Sequence, residues 1–279
     1  MSKWNMIIDV AECTNCHLCT LATMDEYMDN DWPGYSAPMP RHGHRWIDIL
    51  QKERGAVPCV DVAYVPTMCN HCDDAPCMAE AKDGAITKRA DGIVVIDPVK
   101  AKGQKQLVDA CPYGHIWWNE DLELPQAWNF DAHLLDGGWD KTRGSQACAT
   151  GAMKAIKVSD AEMAHMAEAE GLETLKPELG TKSRVYYKNL YRYEKCFVAG
   201  TLTAITNGVV DCLEGAAITL KKDSEVVAET SSDNYGDFKI DHLENESGAY
   251  QLEIKPTLQD SKIVEFTLGE STFLGEIRV

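Results

Sequence analysis

Eleven cysteines among 279 residues are the groups in this chain best suited to chemistry. Three form the run Cys13-Thr14-Asn15-Cys16-His17-Leu18-Cys19, and three more form Cys69-Asn70-His71-Cys72 with Cys77 after four intervening residues. A C-x2-C-x2-C spacing wraps the backbone tightly, so that three thiolates face one bound group. Cys111 stands in Cys111-Pro112-Tyr113-Gly114, and Cys148 in Cys148-Ala149-Thr150-Gly151-Ala152. In a reducing compartment, clustered cysteines read as metal ligands or redox groups rather than disulfides. An odd count with uneven clustering also fits a disulfide framework poorly. Two chemistries use four thiolates per site, an iron–sulfur cluster and a structural zinc. Spacing alone leaves both open.

Something must hold these loops in place. The length suggests about two domains, and composition (44% hydrophobic, 25% charged) is that of a globular chain. There is no run of about 18 apolar residues, and Met1-Ser2-Lys3-Trp4-Asn5 lacks a secretory pattern. A cytoplasmic location is therefore expected. The net charge of −17 opposes binding to nucleic acid or anionic membranes. Residues 1–160 carry nine cysteines and a net charge of −8, residues 161–198 are neutral, and residues 199–279 carry −9.

The first part is turn-rich, with short apolar runs such as Met6–Val10 and Gly92–Pro98 that read as strands. A fold with so little regular structure can be held by metal clusters. From Ser159 a helix is expected, capped by Ser159 or Asp160, with Met163, Met166 and Ala167 at helical spacing before Gly171. Val185-Tyr186-Tyr187 and Leu190-Tyr191 then read as packing residues. Ala216–Leu220, Glu225–Thr230, Asn234–Ile240 and Tyr250–Ile254 alternate in the manner of a small all-β domain.

The cysteine groups resemble the iron–sulfur subunits of the dimethyl sulfoxide reductase family of molybdenum or tungsten enzymes. Those subunits resemble two fused bacterial ferredoxins, with four motifs and up to four [4Fe–4S] clusters. The resemblance covers residues 5–158, gaps included. Asp97–Leu107 stands in the place of the third motif, with Ala101, Gln104 and Leu107 at its cysteine positions. Trp128, Asp131 and Gly144 stand at those of the fourth. Both clusters are therefore expected to be missing. In that architecture motifs one and four exchange their last cysteines, as do motifs two and three. Thr23 and Ala81 occupy the exchanged positions that two missing clusters would make redundant. The resemblance thus implies two [4Fe–4S] clusters, one on Cys13, Cys16, Cys19 and Cys148, the other on Cys69, Cys72, Cys77 and Cys111. Asp131 as an oxygen ligand to a third cluster is the alternative. Cys59, Cys196 and Cys212 read as buried or free thiols, and His42, His44 and His133 as ordinary polar histidines.

Within the family, the stretches Glu26–Tyr35, Gly43–Trp46, Ala132–Asp136, Lys176–Lys182 and Arg184–Arg192 resemble small subunits of phenol transhydroxylases of the pyrogallol–phloroglucinol type. One departure is that those subunits keep the fourth-motif cysteines. The resemblance implies an α+β chain. Residues 1–158 would form a double ferredoxin-like domain, 159–198 a helical connector and docking segment, and 199–279 a transthyretin-like or carboxypeptidase-regulatory-like β-sandwich. It also implies a large partner subunit carrying molybdenum or tungsten bis-molybdopterin guanine dinucleotide and the phenol chemistry, with no catalytic residue in this chain. The rival readings are an electron-transfer subunit of a related hydroxylase or dehydroxylase (resorcinol hydroxylase type), a free-standing ferredoxin-like carrier, and a zinc-stabilised adaptor.

Overall fold

The computed structural model describes residues 1–206, 208–256 and 260–279. The chain divides into two compact units, Met1–Gln51 with Tyr64–Leu190, and Lys52–Ala63 with Tyr191–Val279.

The strands of the first unit are β1 (Ser2–Asp9), parts of the hairpin β2–β3 (Ile47–Ala56 and Cys59–Met68), the short hairpins β4–β5 (Ile86–Lys88 and Val94–Ile96) and β6–β7 (Trp117–Asn119 and Leu124–Gln126), β8 (Met153–Ser159) and β9 (Val185–Lys188). Its helices are α1 (Leu18–Tyr27), α2 (Pro76–Glu80), α3 (Ala132–Asp136), α4 (Arg143–Ala147) and α5 (Asp160–Glu170). Strand β1 is the centre of a three-stranded sheet, antiparallel to β8 and parallel to β9. Trp4 to Ile8 are all buried along it, as a strand paired on both edges and covered on both faces requires. Helix α5 starts and stops where its end signals place it. Ser159 and Glu162 form a reciprocal capping box, and Gly171 closes the helix at φ 61°. The stretch expected to be a helical connector is helical only in part, because Val185–Lys188 joins the β1 sheet.

Helix α1 has no apolar stripe to announce it. Its buried positions are Cys19, Thr20, Thr23 and Tyr27, and it opens on His17 in the left-handed conformation. Thr23 turns its hydroxyl back to donate to the Cys19 carbonyl at 2.9 Å, which satisfies a buried polar group within the helix.

Among the described residues the second unit contains α6 (Tyr191–Glu194) and eight further strands. These are β10 (Cys196–Thr206), β11 (Val209–Cys212), β12 (Ala217–Lys222), β13 (Glu225–Ser231), β14 (Asp237–Leu243), β15 (Gly248–Lys255), β16 (Lys262–Leu268) and β17 (Thr272–Arg278). One sheet joins β11, β10 and β14, with β17 parallel on β10, and the other runs β13-β12-β15-β16. Alternating residues of both sheets meet in one core, among them Val198, Leu202, Ile218, Leu220, Phe238 and Leu252. Gly236, at φ +78°, permits a close approach there: a Cβ at this position would lie 2.3 Å from the Leu202 carbonyl oxygen. Residues 52–63 are held to this unit by Arg54, whose buried guanidinium donates to both Asp61 and Asp241.

Candidate metal centres

The loop between β3 and α2 carries Cys69 and Cys72, and the first turn of α2 carries Cys77. His71 takes φ 45°, and this turns the backbone back on itself between the two cysteines. Four tethers fix the loop. Ser183 Oγ donates to Asn70 Oδ1 at 3.1 Å, and the Arg184 amide donates to the Asn70 carbonyl at 2.9 Å. The Val94 amide donates to His71 Nδ1 at 3.1 Å. Lys88 Nζ donates to the carbonyls of His71 and Cys72 at 2.8 and 2.9 Å. Burial pushes His71 down to about 3, so the ring is neutral, with Nδ1 accepting and Nε2 protonated.

Cys69, Cys72, Cys77 and Cys111 line one cavity, whose remaining wall is mostly apolar and includes Ile86, Val94, Ile116 and Trp128, with Asn70 and Tyr113 as its polar members. The His115 amide donates to the Cys111 sulfur at 3.4 Å. Burial pushes the Cys69 thiol well up, Cys77 to about 12 and Cys72 upward, and the neighbouring Cys111 adds to all three. Cys69, Cys72 and Cys77 are thus held against ionising unaided. The donor set fits a group that brings positive charge and accepts thiolates, as an iron–sulfur core does.

The first group sits nearer the surface. Asn15 and His17 take φ 57° and 58°, which coils the run Cys13–Cys19 into the start of α1. Cys16 is exposed and Cys19 buried, and Cys148 follows the last residue of α4. Burial raises Cys13, and the neighbouring Cys148 and Cys16 raise it further. Burial likewise pushes Cys19 up to about 11, with Cys13 and Cys16 contributing. Cys148 goes the other way. Burial works to raise it, but hydrogen bonds from the Met153, Thr150 and Ala152 amides and the Thr150 hydroxyl outweigh that and hold the thiol below its ordinary value.

The two cysteine-free motifs are filled with packed side chains. At the third, Ala101 and Leu107 are fully buried, and Leu107 packs with Ile86, Val94 and Ile116 against Cys77, Ala81 and Cys111. Gln104 accepts from the Lys82 amide at 3.0 Å and donates to the Lys100 carbonyl at 2.8 Å, so its side chain pins the loop in place of a ligand. At the fourth, Trp128, Asp131 and Thr23 are buried. Trp128 Nε1 and the Tyr27 hydroxyl both donate to Asp131 Oδ1 at 2.8 Å, and the Arg143 amide donates to Oδ2 at 2.7 Å. Both oxygens of Asp131 are thus engaged by protein donors. Burial raises its pKa although the donors oppose this. A Cβ on Gly144 would meet Met153 Sδ at 3.1 Å and Ile47 Cδ1 at 3.3 Å.

A family described as the 4Fe-4S dicluster domain matches residues 60–158. The pyrogallol hydroxytransferase small subunit of Pelobacter acidigallici is 47% identical over 257 residues, covering 91% of each chain. The chain belongs to the family of pyrogallol hydroxytransferase small subunits. More distant similarity reaches the arsenate respiratory reductase iron–sulfur subunit of Shewanella sp. strain ANA-3 (33% identity, 49% of this chain, 53% of that one). It also reaches a tetrathionate reductase subunit of Salmonella typhimurium (29% identity, 67% and 73%). This hydroxytransferase-family chain therefore combines a dicluster domain with a largely β C-terminal region. Among the described residues no helix is long and apolar enough to cross a membrane.

The remaining sequence candidates are scattered. Cys196 is buried, with its thiol on the Leu243 and Glu244 carbonyls at 3.3 Å, Cys59 is half-buried and Cys212 exposed. His42 is exposed, His44 lies on the Trp118 carbonyl at 2.9 Å, and His133 pairs with Glu26 at 2.9 Å while stacking on Trp32. Sequence reasoning missed the Lys88–Asp73–Arg184 group around the second loop. Its members are far apart in the chain and belong to no motif, so no local signal marks them.

Proposed function

We propose that this chain is the iron–sulfur small subunit of a molybdopterin-dependent enzyme that acts on polyhydroxylated phenols, moving hydroxyl groups between them. The observation that carries this reading is 47% identity to a pyrogallol hydroxytransferase small subunit over 91% of both chains. Cys13, Cys16, Cys19 and Cys148 hold one [4Fe–4S] cluster, and Cys69, Cys72, Cys77 and Cys111 hold the other. The grouping of the latter four around one cavity supports the second assignment. When bound, such clusters store and pass single electrons.

The chain's own residues bind, shield and orient. The apolar wall of Ile86, Val94, Ile116 and Trp128 keeps water from the second group, and the His115 amide orients the Cys111 sulfur. The large partner subunit carries molybdenum or tungsten on bis-molybdopterin guanine dinucleotide and performs the ring chemistry. The C-terminal region, a sandwich of the transthyretin-like or carboxypeptidase-regulatory-like kind, serves docking. Transfer of a hydroxyl between phenols is redox-neutral overall, so a chain with two of four motifs filled by side chains meets its needs without a long electron path.

Iron, acid-labile sulfide, molybdenum and zinc in the complex purified without air test this. About eight irons and eight sulfides are expected in this chain once any partner cluster is subtracted. About twelve would overturn the two-cluster assignment, and zinc without sulfide would overturn the enzyme reading. Stopped-flow reoxidation of both clusters by an outside acceptor in every turnover would overturn hydroxyl transfer.

A further inference from the structure

We propose that Lys88 is the charge that sets the reduction potential of the cluster on Cys69, Cys72, Cys77 and Cys111. This rests on the ligand assignment above and adds a positioning residue to it. Lys88 Nζ donates to three carbonyls, those of His71 (2.8 Å), Cys72 (2.9 Å) and Gly92 (3.0 Å). With Asp73 Oδ1 also at 2.8 Å, four oxygens surround the ammonium and share its three N–H bonds, which holds it charged and fixed in place. Two of those carbonyls belong to the loop that presents Cys69 and Cys72, so the cation is built into the ligand loop. The side chain is only 17% exposed, and solvent screens it weakly.

Within the ion-pair cluster that Lys88 joins, the charges do not cancel. Asp73 Oδ1 lies 2.8 Å from Lys88 Nζ, but Asp73 also pairs with Arg184 and lies 3.7 Å from Lys3. Asp160 is shared by Lys3 (2.7 Å) and Arg184 (3.0 Å). Three cations thus share two carboxylates in this cluster; beside it the Lys182–Asp74 pair is neutral in itself, and Arg89 pairs with Asp91 and Asp136, one cation on two carboxylates. Reduction adds one electron to the cluster, and an uncompensated cation beside a ligand loop favours that more negative state. At the effective dielectric of a protein, a unit charge at about 10 Å changes such an equilibrium roughly tenfold, or about 59 mV for a one-electron couple.

The test is a potentiometric titration of the intact complex with dithionite under argon, each cluster followed by its own electron paramagnetic resonance signal. Lys88→Gln is expected to make the second cluster about tenfold harder to reduce, with the first unchanged. Lys88→Arg, which keeps the charge, is expected to stay near the wild type. Asp73→Asn removes a negative charge and is expected to shift the second cluster in the opposite direction. An unchanged potential in Lys88→Gln, equal shifts of both clusters, or Asp73→Asn moving the same way as Lys88→Gln would overturn the proposal. If Lys88→Gln fails to assemble, the sign of the Asp73→Asn shift decides alone. Wild-type complex with iron and sulfide but no second titrating signal would refute the ligand assignment instead.

Discussion

Trp128→Ala probes whether the fourth motif is a plug built from side chains. Trp128 is 1% exposed, stacks on Phe130 at 4.9 Å between ring centroids, meets His71 edge-on at 5.6 Å and donates to Asp131. Truncating a buried aromatic of this size costs about 3–5 kcal/mol. Losing one of the three donors to a buried carboxylate adds about 1 kcal/mol. The total, about 4–6 kcal/mol, is a large part of the ~5–15 kcal/mol that holds a domain together. For a unit of this size it corresponds to a melting point lower by about 10–20 °C. The same change opens the wall of the Cys69–Cys111 cavity, so iron should leave faster under a chelator. Differential scanning calorimetry of the complex under argon, with iron release followed by absorbance, reads both effects. Trp128→Phe separates packing from hydrogen bonding, because it keeps a ring and loses only Nε1–H, with an expected cost of about 1–2 kcal/mol. A Trp128→Ala protein that melts within about 3 °C of the wild type and keeps its iron would refute the plug.

Three further predictions follow from other parts of the chain. Cys77→Ser should remove about four irons and leave the remaining cluster's spectrum intact, as metal analysis with electron paramagnetic resonance would show. In the second unit, burial pushes Asp61 up, but hydrogen bonds and charge from Arg192 and Arg54 prevail and hold it at about 2, and Asp241 is likewise lowered by Arg54. Both folded values lie below the unfolded one, so the stability from these pairs is present above about pH 4 and lost as pH falls, for Asp61 through about 2. Amide hydrogen exchange of β10 and β14 should accelerate in that window, and Arg54→Met should shrink the step, leaving Arg192 on Asp61 and Lys239 on Asp241. Gly236→Ala should cost about 2–4 kcal/mol through the left-handed φ and the Leu202 carbonyl. Gly208→Ala, with a similar φ of +82° but open space around it, should cost about 1 kcal/mol in the same denaturation assay.

The legible features were those whose cause is local. Ser159, Glu162 and Gly171 mark the ends of α5 because capping uses side chains within one turn. The cysteine runs stand out because each gathers three sulfurs in one short segment. The alternation in β12, β14 and β15 shows because one face of each strand meets the core. Other features have distant causes. Helix α1 buries threonines and a cysteine, so its inward face carries no hydrophobic period. Strand β10 is buried along most of its length on both sides, and β17 pairs with it in parallel from the far end of the unit, so neither alternates clearly. Ala101, Gln104 and Leu107 were readable only as missing cysteines. That Leu107 and Gln104 fill the place as core and tether emerges only from contacts with Ile86, Val94 and Lys82.

The placement of β1 sets a timetable. Residues 2–9 leave the ribosome early, yet both of their hydrogen-bonding edges are completed by residues 153–159 and 185–188. At about 5–20 residues per second, the strand waits roughly 10–30 s for its partners. Through that interval Cys13, Cys16 and Cys19 are translated but have no Cys148 beside them, whereas Cys69 to Cys111 lie within 43 consecutive residues. If those four cysteines hold a cluster as proposed, the inner site can be furnished while synthesis is still under way. On the ligand assignment proposed above, the outer one is completed only once Cys148 has emerged, and its iron would be delivered late.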